Sequence, residues 1–318
     1  MSNVEYDETL PSAGRQRLST SPNLGRRRID MRAFKRNEWV GYLFILPQVL
    51  GFLFFGLYPL IANLILPFYE WDILSAPRFV AWKNFGKLFS DAVFWRALLN
   101  TVQYSTEYVI PCLFVSLGLA ILLNQRIRGM AFFRSIYYIP VVTSYVVAAI
   151  IWRWLYDTDI GLFNQWLAYF GIPPVSWLLD SRVALSSLVL MSIWKNSGYS
   201  VLIYLAALQN IPPEYEEAAQ IDGANRRMVF MHITWPLLRP TTFLVVVMLT
   251  IWSFQAFAQP YLMTQGGPAR ATTTLVYYIY QQGFMFYSFG YAALVTTAMT
   301  ALVFFVTVLQ RRFVPEDV

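Results

Sequence analysis

Long apolar runs separated by short polar and basic turns set the character of this chain. A helix that crosses the hydrocarbon core of a bilayer needs roughly 20 mainly apolar residues at about 1.5 Å of rise each. Six segments meet that length, at 41–66, 98–123, 134–156, 184–208, 237–259 and 286–309. Backbone polar groups in lipid must be satisfied within the segment, which favours helices. The pattern therefore predicts an all-α fold, a polytopic membrane bundle of six transmembrane helices. The second span is the most polar at its start, where Asn100, Thr101, Gln103, Ser105, Thr106 and Glu107 precede the apolar stretch Pro111–Leu123.

Composition agrees: 57% of the 318 residues are hydrophobic and only 13% charged, about half the charge of an ordinary soluble domain. Cationic side chains fix an orientation through their excess in short inner loops. With the N-terminus inside, sixteen Lys and Arg residues fall in inner segments and six in outer ones, while Arg153 and Lys195 lie within spans. Both termini are then cytoplasmic, in a bacterial cytoplasmic membrane. Residues 1–35 are polar and basic and predict a disordered cytoplasmic tail; the Arg26–Arg28 run reads as the positive flank of the first helix. The membrane domain is expected over 36–312, with a second short tail at 313–318. The net charge of +6 is spread between apolar runs and points to a bilayer, with no nucleic acid.

One inner connection is longer than a connector requires. Residues 211–236 read IPPEYEEAAQIDGANRRMVFMHITWP. Pro212 and Pro213 suit a helix start, and Glu214, Glu216 and Glu217 favour the positive end of its dipole. Gly223 suits the left-handed turn that ends a helix, and Arg226 and Arg227 open a second, interfacial segment. Ala218 and Ala219 leave the backbone open to close approach, with Glu217 and Asp222 supplying charge. The order Glu217-Ala218-Ala219, three residues, Gly223, nine residues, Ile233, one residue, Pro236 resembles the EAA loop of ABC importer permeases. Trp235 stands where that family usually has Leu. The stretch Glu217–Ala224, the run Gly266-Gly267-Pro268 with Thr272-Thr273-Thr274-Leu275, and Asn100-Thr101 are similar to the carbohydrate branch, glycerol-3-phosphate permeases included. The resemblance covers about 36–312.

That resemblance implies a permease subunit of an ATP-driven importer for a sugar or related polar solute. It implies a second homologous permease, two ATPase subunits and an extracytoplasmic solute-binding protein as partners. The chain would carry no cofactor, with MgATP held on the ATPases; no G-x-x-x-x-G-K-[ST] pattern occurs. Carried over, Glu217 would be the polar anchor of the coupling helix, Ala218 and Ala219 its contact surface, Gly223 its turn, with Asp222 beside it.

Polar residues within spans are candidates for a solute pathway, because lipid makes them costly. Helical spacing groups Asn100, Gln103 and Glu107 on the second span, Ser192, Lys195, Asn196 and Tyr199 on the fourth, and Trp252, Gln255 and Gln259 on the fifth. The expected pathway residues are Glu107, Lys195, Asn196, Tyr199, Gln255 and Gln259. By residue count Glu107 and Lys195 lie at equal depth, about 15 Å in, which places them within reach of pairing. An ion-coupled secondary transporter, with Glu107 titrating, is the alternative. Enzymatic chemistry is the weakest reading: Cys112 and His232 stand alone.

Overall fold

The protein's structure, a computed structural model, describes residues 38–125 and 129–312. The two expected tails, the Arg26–Arg28 run and the inner cations Arg126 and Arg128 lie outside them. The chain divides into two compact units at Leu57–Tyr58.

The first unit holds helix α1 (Glu38–Phe52) and a π-helical turn, Leu53–Leu57. Its surface is apolar, with Phe44 and Phe55 81% and 88% exposed, as suits a face in contact with lipid. The apolar stretch Gly41–Phe68 is long enough to cross a bilayer.

The second unit opens with α2 (Tyr58–Ile65) and a 3-10 turn, Leu66–Phe68. A minimal antiparallel ribbon follows, β1 (Tyr69–Glu70) on β2 (Arg78–Phe79), a small departure from an all-α chain. Helix α3 (Lys83–Ser90) leads to α4 (Ala92–Leu123), capped by Asp91, whose carboxylate accepts the amides of Val93 and Phe94. Then come α5 (Met130–Val142), α6 (Tyr145–Leu155), α7 (Leu162–Tyr169) and α8 (Ala184–Gln209). After α8 stand α9 (Pro213–Ile221) and α10 (Arg226–Val229), and a π turn joins α10 to α11 (Trp235–Phe254). Helices α12 (Leu275–Tyr280) and α13 (Phe289–Arg311) close the described chain.

Among the described residues four helices are long and apolar enough to span a membrane: Gly41–Phe68, Ala92–Leu123, Arg226–Phe254 and Phe289–Arg311. The expected third span is not one rod. It breaks at Thr143–Ser144 with a bend of 98° between Phe132–Val142 and Tyr145–Leu155. Pro140 lacks an amide to continue the ladder, and Ser144 starts α6 by accepting the Val146 amide. Counted as one, the bent pair makes five. The expected fourth span is the 26-residue α8, long enough at about 39 Å yet outside the apolar set. Its polar residues explain this: Ser187, Ser192, Lys195, Ser197 and Ser200 are all buried against neighbouring helices. Its protein-facing side therefore needs no lipid-soluble surface, while Leu190, Trp194 and Leu202 stay exposed on the other.

The core sits where α4, α8 and α11 meet, around Tyr104, Tyr108, Leu188, Met191, Tyr204 and Leu249. Small polar contacts fix the register. Tyr104 donates to Ser192 Oγ at 2.7 Å, Ser116 to the Ser197 carbonyl at 3.3 Å, and Ser105 pairs with Ser253 at 2.7 Å.

A polar cavity and an exposed helix

The junction of the broken span with α4, α8 and α11 encloses a cavity of about 690 Å³, within the usual range for small-molecule sites. Each wall follows from local structure. The break after Val142 turns Thr143, Ser144 and Tyr145 inward. The end of α11 at Phe254 leaves Gln255, Ala256 and Phe257 in a non-helical break before the helical residues Ala258 and Gln259 and the π turn Pro260–Thr264. Helix α8 contributes Lys195, Asn196 and Tyr199, one helical face apart by i, i+1 and i+4.

Five expected pathway residues therefore come together here: Lys195, Asn196, Tyr199, Gln255 and Gln259. Asn196 Oδ1 accepts from the Tyr145 hydroxyl at 2.8 Å, and Gln259 Nε2 donates to Ser192 Oγ at 3.0 Å. Tyr199 packs on Trp252 with ring centroids 5.5 Å apart. Lys195 is 3% exposed; its Nζ donates to the Val141 carbonyl at 2.9 Å and lies 4.8 Å from the Tyr145 ring centroid. Tyr108, 1% exposed, has a buried hydroxyl with no hydrogen-bond partner among the described residues.

The expected pairing of Glu107 with Lys195 is corrected. Glu107 is not part of the cavity wall and does not pair with Lys195. Its carboxylate accepts from Gln103 at 2.8 Å and from Ser186 at 2.7 Å. Ser186 precedes Lys195 by nine residues, about 13 Å along the helix. Capping by Asp91 begins α4 six residues before the expected start, so residue counts from the two helix ends do not match. The inward stripe of α4 is Asn100, Tyr104, Tyr108, Cys112 and Ser116, all buried, rather than Gln103 and Glu107. The spacing of four carries that stripe in the sequence, masked by the apolar look of tyrosine.

Two remote motifs prove to be one structure. Asn100 Nδ2 donates to the carbonyls of Arg270 and Thr273 at 2.8 and 2.9 Å. The Thr101 hydroxyl accepts the Leu275 amide at 2.8 Å and donates to Ala97. Within the loop, Thr273 Oγ1 donates to Gly266 O and Thr274 Oγ1 to Ala256 O at the cavity wall. Gly266 has φ +80°, and a Cβ there would lie 2.6 Å from Thr273 Oγ1 and 2.7 Å from Tyr277. At the same end of α4, Asp91 accepts from the hydroxyls of Tyr278 and Tyr291. Burial raises its pKa, but those phenols and the two helix amides outweigh it and hold the carboxyl below the ordinary value.

The second site is α9, the helix that bears Glu217, Ala218 and Ala219. None of its nine residues is buried, and Ile221 is 87% exposed. The helix closes when the amides of Asp222 and Ala224 reach the carbonyls of Ala218 and Ala219, with Gly223 at φ +84°. Asn225 then caps α10 by accepting the Met228 amide at 2.9 Å, a signal adjacent to the two arginines. Helix α9 is thus an exposed helix on the connection between α8 and α11.

Apolar helices around a polar, aromatic-walled cavity, with an exposed helix on one connecting loop, define a transport permease. Residues 113–316 match the family described as binding-protein-dependent transport system inner membrane component, and the chain belongs to that family as a permease subunit of an ABC importer. Relatives include the probable ABC transporter permease YurN of Bacillus subtilis, 33% identical over 87% of this chain and 97% of that one. The arabinooligosaccharides transport system permease AraP of the same organism is 36% identical over 85% and 86%. The sn-glycerol-3-phosphate transport system permease UgpA of Escherichia coli O157:H7 is 33% identical over 89% and 96%. Among solved structures, a bacterial ABC transporter for the acidic polysaccharide alginate superposes with a TM-score of 0.76 at 25% identity, over 90% of this chain and 99% of its counterpart.

Proposed function

We propose that the cavity is this subunit's share of a solute pathway and that α9 couples it to separate ATPases. The observation that carries the reading is the cavity itself. It joins ring faces, side-chain amides and one ammonium in a space of about 690 Å³, the groups that suit a sugar or related polar solute. Similar proteins are named for arabinooligosaccharides, glycerol 3-phosphate and alginate, which supports that solute class. In this reading the bent pair and α8 complete six crossings, with both termini in the cytoplasm. A second homologous permease supplies the facing half of the pathway.

Helix α9 is read as seating in a groove of each chain's ATPase partner, Glu217 anchoring it, Ala218 and Ala219 in contact and Gly223 and Asp222 shaping its end. Closure of two ATPase subunits on MgATP would then rock the bundle between inward- and outward-open states. An extracytoplasmic binding protein delivers the solute. The test is reconstitution of the chain with its partner permease, ATPases and binding protein in liposomes. Uptake that requires MgATP and every partner is expected; uptake by the isolated chain on an ion gradient would refute the reading in favour of a secondary transporter.

A further inference from the structure

The cavity contains hydrogen-bond donors that the protein does not use. An ammonium has three N–H groups; the Val141 carbonyl takes one from Lys195, and the Tyr145 ring faces the charge. No carboxylate lies within 4.0 Å of it among the described residues, where the single ion pair is Lys83–Glu70 beside the ribbon. Glu107, the acidic residue on the adjoining helix, is held by Gln103 and Ser186. The Tyr108 hydroxyl is likewise buried without a partner. Both residues line the same cavity. Burying a cation with one carbonyl and a ring face for company is costly, and an isolated donor beside it adds to the cost. A cap on the broken span would need only a neutral donor at Val141. The surplus charge asks for an anion.

Resting on the reading of this cavity as a solute pathway, we propose that the transported solute is anionic. Its carboxylate or phosphate sits at Lys195 Nζ, with the Tyr108 hydroxyl donating a second hydrogen bond. The Tyr199–Trp252 pair offers ring faces to the uncharged part of the solute. Hydrogen bonds to charged groups contribute about 1.5–3 kcal/mol each, which corresponds to roughly tenfold or more in affinity.

The test uses the complete importer in liposomes and two matched pairs of probes: trigalacturonate against galactotriose, and glycerol 3-phosphate against glycerol. The carboxylate and phosphate arms tell the two anion classes apart. ATP-driven uptake of the charged member of a pair is expected, with the neutral member carried at least about tenfold less well. Lys195→Met should raise the KM for the charged probe about tenfold or more, while Lys195→Arg stays within about threefold. Tyr108→Phe removes a hydroxyl that makes no hydrogen bond of full geometry within the protein, so the protein should fold normally and bind the charged probe several-fold more weakly. Preference for a neutral probe, uptake of none of the four, or charged uptake unaltered by both Lys195→Met and Tyr108→Phe would overturn the proposal. Such unaltered uptake would mean that the second permease supplies the counter-charge to Lys195. Uptake that needs no ATP would instead sink the transport reading beneath it.

Discussion

Asn100→Asp is the most informative single change to the scaffold. The substitution keeps shape and volume, so no cavity forms. It replaces an amide that donates to two carbonyls, at 2.8 and 2.9 Å, with a carboxylate that can only accept when ionised. Each lost bond is worth about 0.5–1.5 kcal/mol net, and a buried group left unsatisfied costs about 1–3 kcal/mol. The Arg270 carbonyl retains the Thr273 amide at 3.3 Å, so the Thr273 carbonyl suffers most. Together these give a loss of about 2–6 kcal/mol. For a chain of 318 residues that lowers the thermal midpoint by about 3 °C or more. The assay is thermal unfolding of the detergent-solubilised importer, read by retention of the chain in the monodisperse peak, with Asn100→Ala alongside. The aspartate variant should be at least as unstable as the alanine one, because it adds repulsion between oxygens. A midpoint unchanged from wild type would refute the claim that Asn100 pins the Gly266–Thr274 loop to α4.

Other outcomes follow from the same geometry. Gly266→Ala should destabilise the same loop, since a Cβ meets Thr273 and Tyr277 below 3 Å at a positive φ; proteolysis of the loop would report it. Asp91 is held below its ordinary pKa in the folded protein, so its contribution is present above the unfolded value near 4 and fades as pH falls through the folded value. Asp91→Asn should therefore flatten the fall in stability between about pH 5 and 3, measured by thermal midpoints across that window. Glu217→Lys should abolish ATP-driven uptake with normal membrane insertion, whereas Glu107→Gln should leave uptake near wild type. Loss of uptake in the latter would return Glu107 to the pathway.

Sequence reading served where one strong pattern dominated. The runs 98–123 and 286–309 became α4 and α13 because their apolar length outweighs local breaks, in α4 the polar first turns and Pro111. Gly223 reads as a helix end because glycine adopts φ > 0 without strain, and it does so at +84°. The broken span was harder: an apolar run of ordinary length hid a proline followed by a serine cap, two weak signals that act only in combination. Helix α8 was legible as a span by length, but its polar residues could not reveal which neighbours bury them. The Glu107–Lys195 pairing failed for a register reason. Depth counted from the end of a hydrophobic run is wrong by six residues when the helix extends to a capping aspartate, and one residue of rotation separates Glu107 from the inward-facing Tyr108. The link between Asn100 and the loop before α12 spans 170 residues of sequence, so no local pattern could contain it.

In the proposed mechanism α9 delivers the work of a separate ATPase to this bundle. A photo-crosslinking residue in place of Ala218, in the importer assembled in membranes, tests it most directly. A crosslink to the ATPase subunit is expected, altered in yield when ATP is trapped there. A crosslink confined to lipid or to this chain itself, in an importer that still transports, would contradict it.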